Sequence, residues 1–234
     1  MEQRYDNILA AAYVRGAAIQ GKVSVSDELL HKKIHSLEPS ELERLIEAGS
    51  RAGLKMYRFK NHEELPRVKS ALGILRGLQP ETLLDVGSGR GVFLFPFLKT
   101  FPDVQVTSVD LLIHRVEFLK NLHDGGIENL TALQQDICCW DMADHSFDIV
   151  TMLEVLEHIP NVSDAVKAAV RLAKRYVLIS VPSKPDNNPE HIHLLTKDVL
   201  AELFYNAGCT RLQFSGVNGH LILLVSLEQD SLKN

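Results

Sequence analysis

The stretch LLDVGSGRG, Leu83 to Gly91, determines the fold that we expect for this chain. A short apolar run ends in Asp85, and glycines then alternate at Gly87, Gly89 and Gly91. Glycine lets the backbone turn sharply and approach a ligand closely, because no Cβ stands in the way. A helix that begins at such a turn presents unpaired N–H groups to an anionic or polar ligand. The stretch therefore predicts a strand, a ligand-binding turn and a helix in succession.

Similar apolar runs recur after this stretch, and segments with helical periodicity separate them. The runs are VQVTSVD, LTALQQD, FDIVTML and YVLISVP. Continuous apolar strands that alternate with helices predict a parallel sheet covered on both faces. The tail adds TRLQFSG and HLILLVSL, which predict an antiparallel pair at the sheet edge. We therefore expect an α/β fold with a seven-stranded, mostly parallel sheet.

The first part of the chain has a different character, because its apolar residues follow helical periodicity only. SDELLHKKIHSL predicts one helix capped by Ser26, and PSELERLIEAGSRAGL predicts a helix that begins with a capping box of Ser40 and Glu43. Residues 1–79 are therefore interpreted as a helical cap. We expect this cap to cover the ligand site of a core domain formed by residues 80–234 and to act as a substrate lid.

Composition narrows the class of protein. The chain has 234 residues with 45% hydrophobic and 24% charged residues, a net charge of −5 and a pI near 6.1. This charge argues against a large nucleic-acid footprint, and no apolar run is long enough to span a membrane. Three cysteines without a C-x-x-C pair indicate a reducing compartment, so we expect a cytoplasmic protein that does not bind membranes.

Two further acids strengthen the ligand-site prediction. Asp110 ends the second strand run, where an acid can bind a ribose, and Asp136 ends the third run, where it can accept from an adenine amino group. The alternative for each acid alone is a helix cap. The glycine spacing departs from the dinucleotide pattern G-x-G-x-x-G because Val92 stands at the last position, which favours a cofactor other than NAD.

This ordered set of motifs resembles the class I S-adenosylmethionine-dependent methyltransferases over roughly residues 80–226. The resemblance implies a Rossmann-like fold and transfer of the cofactor's methyl group to a substrate. It also implies that Asp85, Gly87 and Gly89 face the methionine part of the cofactor and that Asp110 binds the ribose hydroxyls. The adenine is then contacted by Leu111, Asp136, Ile137 and Cys138, the last as a pocket wall and not as a nucleophile.

The run MLEVLEHIPN at the end of the fourth strand brings Glu154, Glu157 and His158 to the mouth of this site. The loop PSKPDNNPEHIHLLT, after the fifth strand, adds His191 and His193. If the first segment forms one helical turn, its three side chains share a face. Two carboxylates and two imidazoles can then enclose a divalent ion.

The E-x-x-E-H arrangement with a later histidine resembles ubiquinone-pathway O-methyltransferases and small-RNA 3′-end 2′-O-methyltransferases, which use metals. That resemblance implies a ligand set of Glu154, Glu157, His158 and His191. Many other members of the superfamily carry the same run without a metal, and we favour that reading. Glu154 then borders the cofactor, and His158 or His191 serves as the base, with Glu157 beside them.

We therefore expect a methyltransferase that acts on a small molecule, with oxygen as the favoured acceptor atom. The alternatives are a metal-assisted RNA 2′-O-methyltransferase and a partner protein that binds S-adenosylmethionine without catalysis. The glycines and acids of the first motif argue against the last alternative.

Overall fold

Seven strands form one sheet in the computed structural model, which describes residues 6–185 and 187–227. The strands in chain order are β1 (Thr82–Val86), β2 (Gln105–Asp110), β3 (Leu130–Gln134), β4 (Phe147–Leu153), β5 (Ala173–Pro182), β6 (Arg211–Val217) and β7 (His220–Ser226). Their order across the sheet is β3-β2-β1-β4-β5-β7-β6. Strands β1 to β5 are parallel, whereas β7 is antiparallel to both β5 and β6. The predicted fold class, including the antiparallel pair at the edge, is confirmed.

Eight α-helices accompany the sheet in the described part of the chain. They are α1 (Asn7–Ile19), α2 (Asp27–His31), α3 (Pro39–Arg51), α4 (Pro66–Leu78), α5 (Leu94–Thr100), α6 (Ile113–Asp124), α7 (Val162–Leu172) and α8 (Lys197–Asn206). Short 3-10 helices span Ile34–Ser36, Met56–Phe59, Ile137–Cys139 and Leu156–His158. The helices lie on both sides of the sheet, as parallel strands with apolar side chains on both faces require.

Two hydrophobic clusters divide the core between the faces of the sheet. Helices α4, α5 and α6 cover one face, and α1 and α3 join the same cluster. Helices α7 and α8 cover the other face. Neighbouring residues of β1 belong to different clusters, Leu83 to the first and Leu84 to the second, because successive side chains of a strand point to opposite faces.

Helix α1 packs closely on α6 through two glycines. A Cβ added at Gly16 would lie 2.0 Å from the carbonyl oxygen of Asn121, and one added at Gly125 would lie 1.7 Å from that of Ala12. Backbones this close leave no room for a side chain at either position. The N-terminal helices are therefore built into the core of one face. Their role as a substrate lid, with a boundary at residue 79, stays a prediction.

Two details of the N-terminal helices differ from the sequence-based prediction. The helix expected over SDELLHKKIHSL ends at His31, and the chain continues into the 3-10 helix Ile34–Ser36. The next helix begins at Pro39, whose fixed φ and missing N–H suit the first helical turn. Its capping pair is Glu38 with Glu41, the carboxylate accepting from the Glu38 N–H at 2.7 Å, and not Ser40 with Glu43.

Within residues 6–185 and 187–227, no helix combines the length and the apolar character that a membrane crossing requires. The cytoplasmic location stays a prediction.

Candidate active site

The glycine loop after β1 adopts the left-handed backbone conformation that its sequence predicted. Gly87, Gly89 and Gly91 have φ values of +67°, +58° and +80°. A Cβ at Gly87 would lie 2.8 Å from Val155, and one at Gly91 would lie 2.4 Å from the ring of Phe95. At Gly89 the nearest atom would be 3.8 Å away. Gly87 and Gly91 are thus required by packing, whereas Gly89 keeps space open above the loop for a ligand.

Asp85 is a buried acid at the base of this loop, with only 2% of its surface exposed. It accepts hydrogen bonds from the hydroxyls of Ser88, at 2.5 Å, and Thr151, at 2.8 Å. Burial raises the pKa of Asp85 to about 6, although both hydrogen bonds act in the opposite direction. A cationic group brought next to this carboxyl would offset the cost of ionising it.

A cavity of about 370 Å³ opens at the carboxyl ends of β1, β4 and β5. It is lined by Arg67, Val68, Asp85, Gly87, Ser88, Gly89, Arg90, Val92, Phe93, Leu153, Glu154, Ser180 and Asn188. Four of the predicted cofactor residues are among these: Asp85, Gly87, Gly89 and Glu154. Arg67, in the first turn of α4, also faces the cavity. Sequence reasoning missed it, because nothing in the periodicity of a helix shows which end meets a distant loop.

Glu154 is held in place by two partners from the neighbouring strands. Its backbone has a φ of +60°, which is rare for a residue other than glycine. The Ser180 hydroxyl donates to one carboxylate oxygen at 2.7 Å, and Nδ1 of His220 lies 3.0 Å from the other. His220 is a half-buried residue of β7 that sequence reasoning did not assign to the site. It reaches the site because β7 pairs with β5 so that His220 lies opposite Pro182.

Asp110 ends β2 as predicted and is only 6% exposed. One carboxylate oxygen accepts from the Leu112 N–H at 2.9 Å, and the other lies 3.2 Å from the guanidinium of Arg115. Leu111 is 61% exposed, so this apolar side chain is available to a ligand beside Asp110. Neither residue lines the main cavity. Both lie at its side, on the adjacent strand end.

Asp136 does not end β3, which stops at Gln134, and instead caps the 3-10 helix Ile137–Cys139. Its carboxylate accepts from the Cys138 N–H at 2.9 Å, so the helix-cap alternative describes its contacts in this structure. Ile137 is buried. Burial raises the pKa of the Cys138 thiol to about 11, which leaves it protonated and unsuited to act as a nucleophile.

The acid and imidazole cluster forms, but with three members. One ligand atom each from Glu157, His158 and His191 lie within 4.8 Å of one another. Glu157 is 1% exposed, and the rings of His158 and His191 meet edge to face with centroids 4.8 Å apart. Glu154 lies outside the cluster, so the expected common face was wrong. The helical turn covers only Leu156–His158, and the left-handed conformation of Glu154 directs it to the main cavity instead.

Hydrogen bonds connect the two loops that carry this cluster. The carbonyl oxygen of Glu157 accepts from the N–H of Ile192 at 3.0 Å. Nε2 of His193 lies 3.1 Å from the carbonyl oxygen of Ile159, so His193 joins the loops rather than the cluster. Nδ1 of His158 lies 2.8 Å from the carbonyl oxygen of Glu190. Because a carbonyl only accepts, Nδ1 carries the proton, and in the neutral ring Nε2 holds the lone pair.

Comparison with known proteins identifies the family. A methyltransferase-domain family model matches residues 57–213, which is more than half of the chain. Ribosomal RNA small subunit methyltransferase G of Lactococcus lactis is 34% identical over 111 residues, covering 45% of this chain and 46% of that protein. Ubiquinone biosynthesis O-methyltransferase of Alkalilimnicola ehrlichii is 35% identical over 103 residues, covering 43% of this chain and 40% of that protein. The chain thus spans less than half the length of these relatives.

Solved structures agree on the fold. The magnesium protoporphyrin IX methyltransferase of Synechocystis PCC 6803, solved with bound SAH, matches 69% of this chain and 82% of that chain with a TM-score of 0.54 and 16% identity. The glycine loop, the buried acid at its base and the family model together carry the assignment. The chain belongs to the methyltransferase-domain family, within the class I S-adenosylmethionine-dependent methyltransferase superfamily.

Proposed function

We propose that this methyltransferase methylates an oxygen atom of a small molecule, with His158 or His191 as the base. The observation that carries the proposal is the convergence of Glu157, His158 and His191 within 4.8 Å, at the same edge of the sheet as the main cavity. The relative from Alkalilimnicola is named as an O-methyltransferase, which favours oxygen as the acceptor atom.

The main cavity fits the cofactor. S-adenosylmethionine supplies a methyl group on a sulfonium, and its amino acid part carries one ammonium and one carboxylate. Asp85 and Glu154 present acids to the cavity, and Arg67 presents a guanidinium, so both charges of the amino acid part find opposite charges. Asp110 and the exposed Leu111 lie beside the cavity, where a ribose and an adenine would extend. We expect Asp136 and Ile137, which follow β3, to bound the same side.

His158 is prepared to accept a proton from a hydroxyl. Its Nδ1–H is committed to the carbonyl oxygen of Glu190, so Nε2 is the basic atom. The buried carboxylate of Glu157 lies beside both imidazoles and stabilises the positive charge that forms when one of them takes the proton. Fixing the base before the acceptor arrives removes the need to reorient it during the reaction.

The test is a methyl-transfer assay with radiolabelled S-adenosylmethionine and a panel of phenols and catechols, in the presence of a chelator. We expect His158→Ala to lower kcat about 10²- to 10⁴-fold, which is the usual contribution of a general base. Binding of SAH (S-adenosylhomocysteine, the demethylated cofactor) should stay unchanged, because His158 does not line the main cavity. Full activity of His158→Ala and of His191→Ala would contradict the assignment of either residue as the base.

A metal-assisted reaction is the second candidate, and on the RNA 2′-hydroxyl it is the alternative that the E-x-x-E-H run suggested. One observation favours it. Glu157, His158 and His191 form a possible ligand set, and the bond from His158 Nδ1 to a carbonyl oxygen is the kind that orients metal-binding histidines. Such a site would use three ligands rather than four, because Glu154 is held by Ser180 and His220. A divalent ion there would lower the pKa of a bound hydroxyl.

Metal content separates the two candidates. Elemental analysis of the purified protein is followed by activity measurements after chelation and after add-back of Mg²⁺, Mn²⁺ or Zn²⁺. We expect full activity in chelator with small-molecule acceptors. Loss of activity in chelator, recovery on add-back and methylation of an RNA 3′ end would support the metal-assisted reaction instead.

A further inference from the structure

A second cavity, of about 150 Å³, adjoins the main one. Gly89 and Arg90 line both cavities, so the glycine loop forms the wall between them. The second cavity is further lined by Arg58, His114, Arg115 and Phe118. None of these four residues was assigned to the cofactor, the acceptor or the base.

The lining residues come from three distant parts of the chain. Arg58 belongs to the 3-10 helix Met56–Phe59, Arg90 to the glycine loop, and His114 and Arg115 to the first turn of α6. Three guanidinium groups and one imidazole therefore meet only in the folded protein. Like charges brought together raise the local positive potential, which an anion neutralises.

Two of the three guanidinium groups in this cavity are not paired with an acid in the described part of the chain. No carboxylate lines it, and in the described ranges, 6–185 and 187–227, Arg58, Arg90 and His114 form no salt bridge. Arg115 pairs with Asp110 at 3.2 Å, outside the lining. Arg58 and Arg90 thus offer the cavity hydrogen-bond donors whose positive charges have no salt-bridge partner in the described ranges.

Arg58 is also held in position by an aromatic ring. Its guanidinium carbon lies 5.0 Å from the centroid of the Phe118 ring, and Phe118 is buried. Stacking on an aromatic face restricts the guanidinium and leaves its in-plane N–H groups available to a ligand. A restricted cation loses less conformational entropy when it binds an anion than a solvated side chain does.

We propose that this cavity binds the terminal phosphate of a phosphate monoester. A monoester carries nearly two negative charges at neutral pH and three terminal oxygens, which match several converging guanidinium groups. The cavity has less than half the volume of the main one, which suits a terminal group. A phosphate diester carries only one negative charge, and both of its ester substituents must extend out of the pocket. The internal phosphates of RNA therefore fit this cavity less well than a terminal phosphate.

The phosphate site is connected to the cofactor site through one ion pair. Arg115 lines the cavity and bridges to Asp110, the acid that we assign to the ribose. A phosphate that binds the Arg115 guanidinium therefore weakens the ion pair between Arg115 and Asp110. Because coupling between two ligands is reciprocal, phosphate should change SAH affinity by the same factor by which SAH changes phosphate affinity.

Isothermal titration calorimetry at constant ionic strength tests the proposal without turnover, so its outcome is independent of the acceptor. The probes are inorganic phosphate, phenyl phosphate, dimethyl phosphate and acetate. We expect saturable binding of the first two and at least tenfold weaker binding of the diester and the carboxylate. Arg58→Met, which keeps an apolar side chain on Phe118, and Arg90→Met should each weaken phosphate binding about tenfold.

The matched control is Arg51→Met on α3, which removes an exposed guanidinium away from the cavity and should leave phosphate binding unchanged. Three results would overturn the proposal. They are no saturable phosphate binding by the folded wild-type protein, equal weakening in the control, or equal affinity for phenyl and dimethyl phosphate. Phosphate binding that disappears with SAH but persists with 5′-methylthioadenosine would assign the cavity to the cofactor's own carboxylate. If SAH itself fails to bind, the proposed cofactor site fails, whatever phosphate does.

Discussion

Asp85 is a buried acid whose ionisation affects the stability of the protein without ligand. Burial raises its pKa from the ordinary 3.8 to about 6 in the folded state, so the folded state binds the proton more tightly than the unfolded state. Between pH 4 and pH 6 folding therefore takes up a proton, and stability falls as the pH rises through this window and levels off above it. The largest loss is about 3 kcal/mol.

We expect Asp85→Asn to abolish this pH dependence and to be more stable than the wild type at pH 8. Chemical denaturation at pH 4.5, 6 and 8 measures both effects. The same variant should bind SAH more weakly, because it lacks a carboxylate for the ammonium group. If the unfolding free energies of the two proteins varied with pH in the same way, burial would not perturb the pKa of Asp85.

His220 is a positioning residue, because it affects the cofactor site through its contact with Glu154. Its Nδ1 lies 3.0 Å from the Glu154 carboxylate, which lines the main cavity. We expect His220→Ala to weaken SAH binding about tenfold, because Glu154 loses one of the two side chains that position it. 5′-Methylthioadenosine lacks the amino acid part and should bind both proteins equally.

The conservative variant separates positioning from a general loss of structure. In His220→Asn, the side-chain amide can donate to the Glu154 carboxylate and should restore most of the SAH affinity. His31→Ala, at an exposed histidine of α2, serves as the control. A decrease in 5′-methylthioadenosine affinity equal to that for SAH would argue that His220 only supports the sheet edge.

At the scale of elements, the loops after β4 and β5 are joined by backbone and imidazole contacts. His193 contributes Nε2–H to the Ile159 carbonyl oxygen at 3.1 Å. We expect His193→Ala to loosen this connection, which speeds amide hydrogen exchange at Ile192 without changing SAH affinity. His193→Gln retains a donor of similar reach and should restore protection. Unchanged exchange at Ile192 in the alanine variant would show that the backbone bonds suffice.

At the scale of the whole molecule, the contact between α1 and α6 shows that the N-terminal helices are part of the core. Gly16→Ala places a methyl group 2.0 Å from the carbonyl oxygen of Asn121, so the helices must separate. We expect a loss of about 3 kcal/mol or more in unfolding free energy, measured by urea denaturation. Gly73→Ala on α4 meets nothing within 4 Å and should be neutral or stabilising by about 0.5–1 kcal/mol. Equal stability of the two variants would contradict the close contact.

The sheet, the glycine loop and the class of cofactor could be predicted from the amino-acid sequence alone. Those features depend on local patterns: continuous apolar runs that alternate with helical segments, glycines at left-handed positions and acids near strand ends. The expected alternation of strands and helices is present, and Asp110 ends β2 as predicted. Helix boundaries near Pro39 were less accurate, because Glu and Ser residues offered several capping pairs.

Which distant side chains come into contact could not be predicted from the sequence, because it depends on the three-dimensional packing. His220 reaches Glu154 because β7 is inserted beside β5, and no local pattern encodes that pairing. The left-handed backbone of Glu154 separates it from Glu157 and His158, although helical spacing predicted a shared face. Arg58 and Arg90 converge on one cavity from segments 32 residues apart. Such contacts depend on strand order and on the packing of helices, which arise from the whole core and not from any one stretch of sequence.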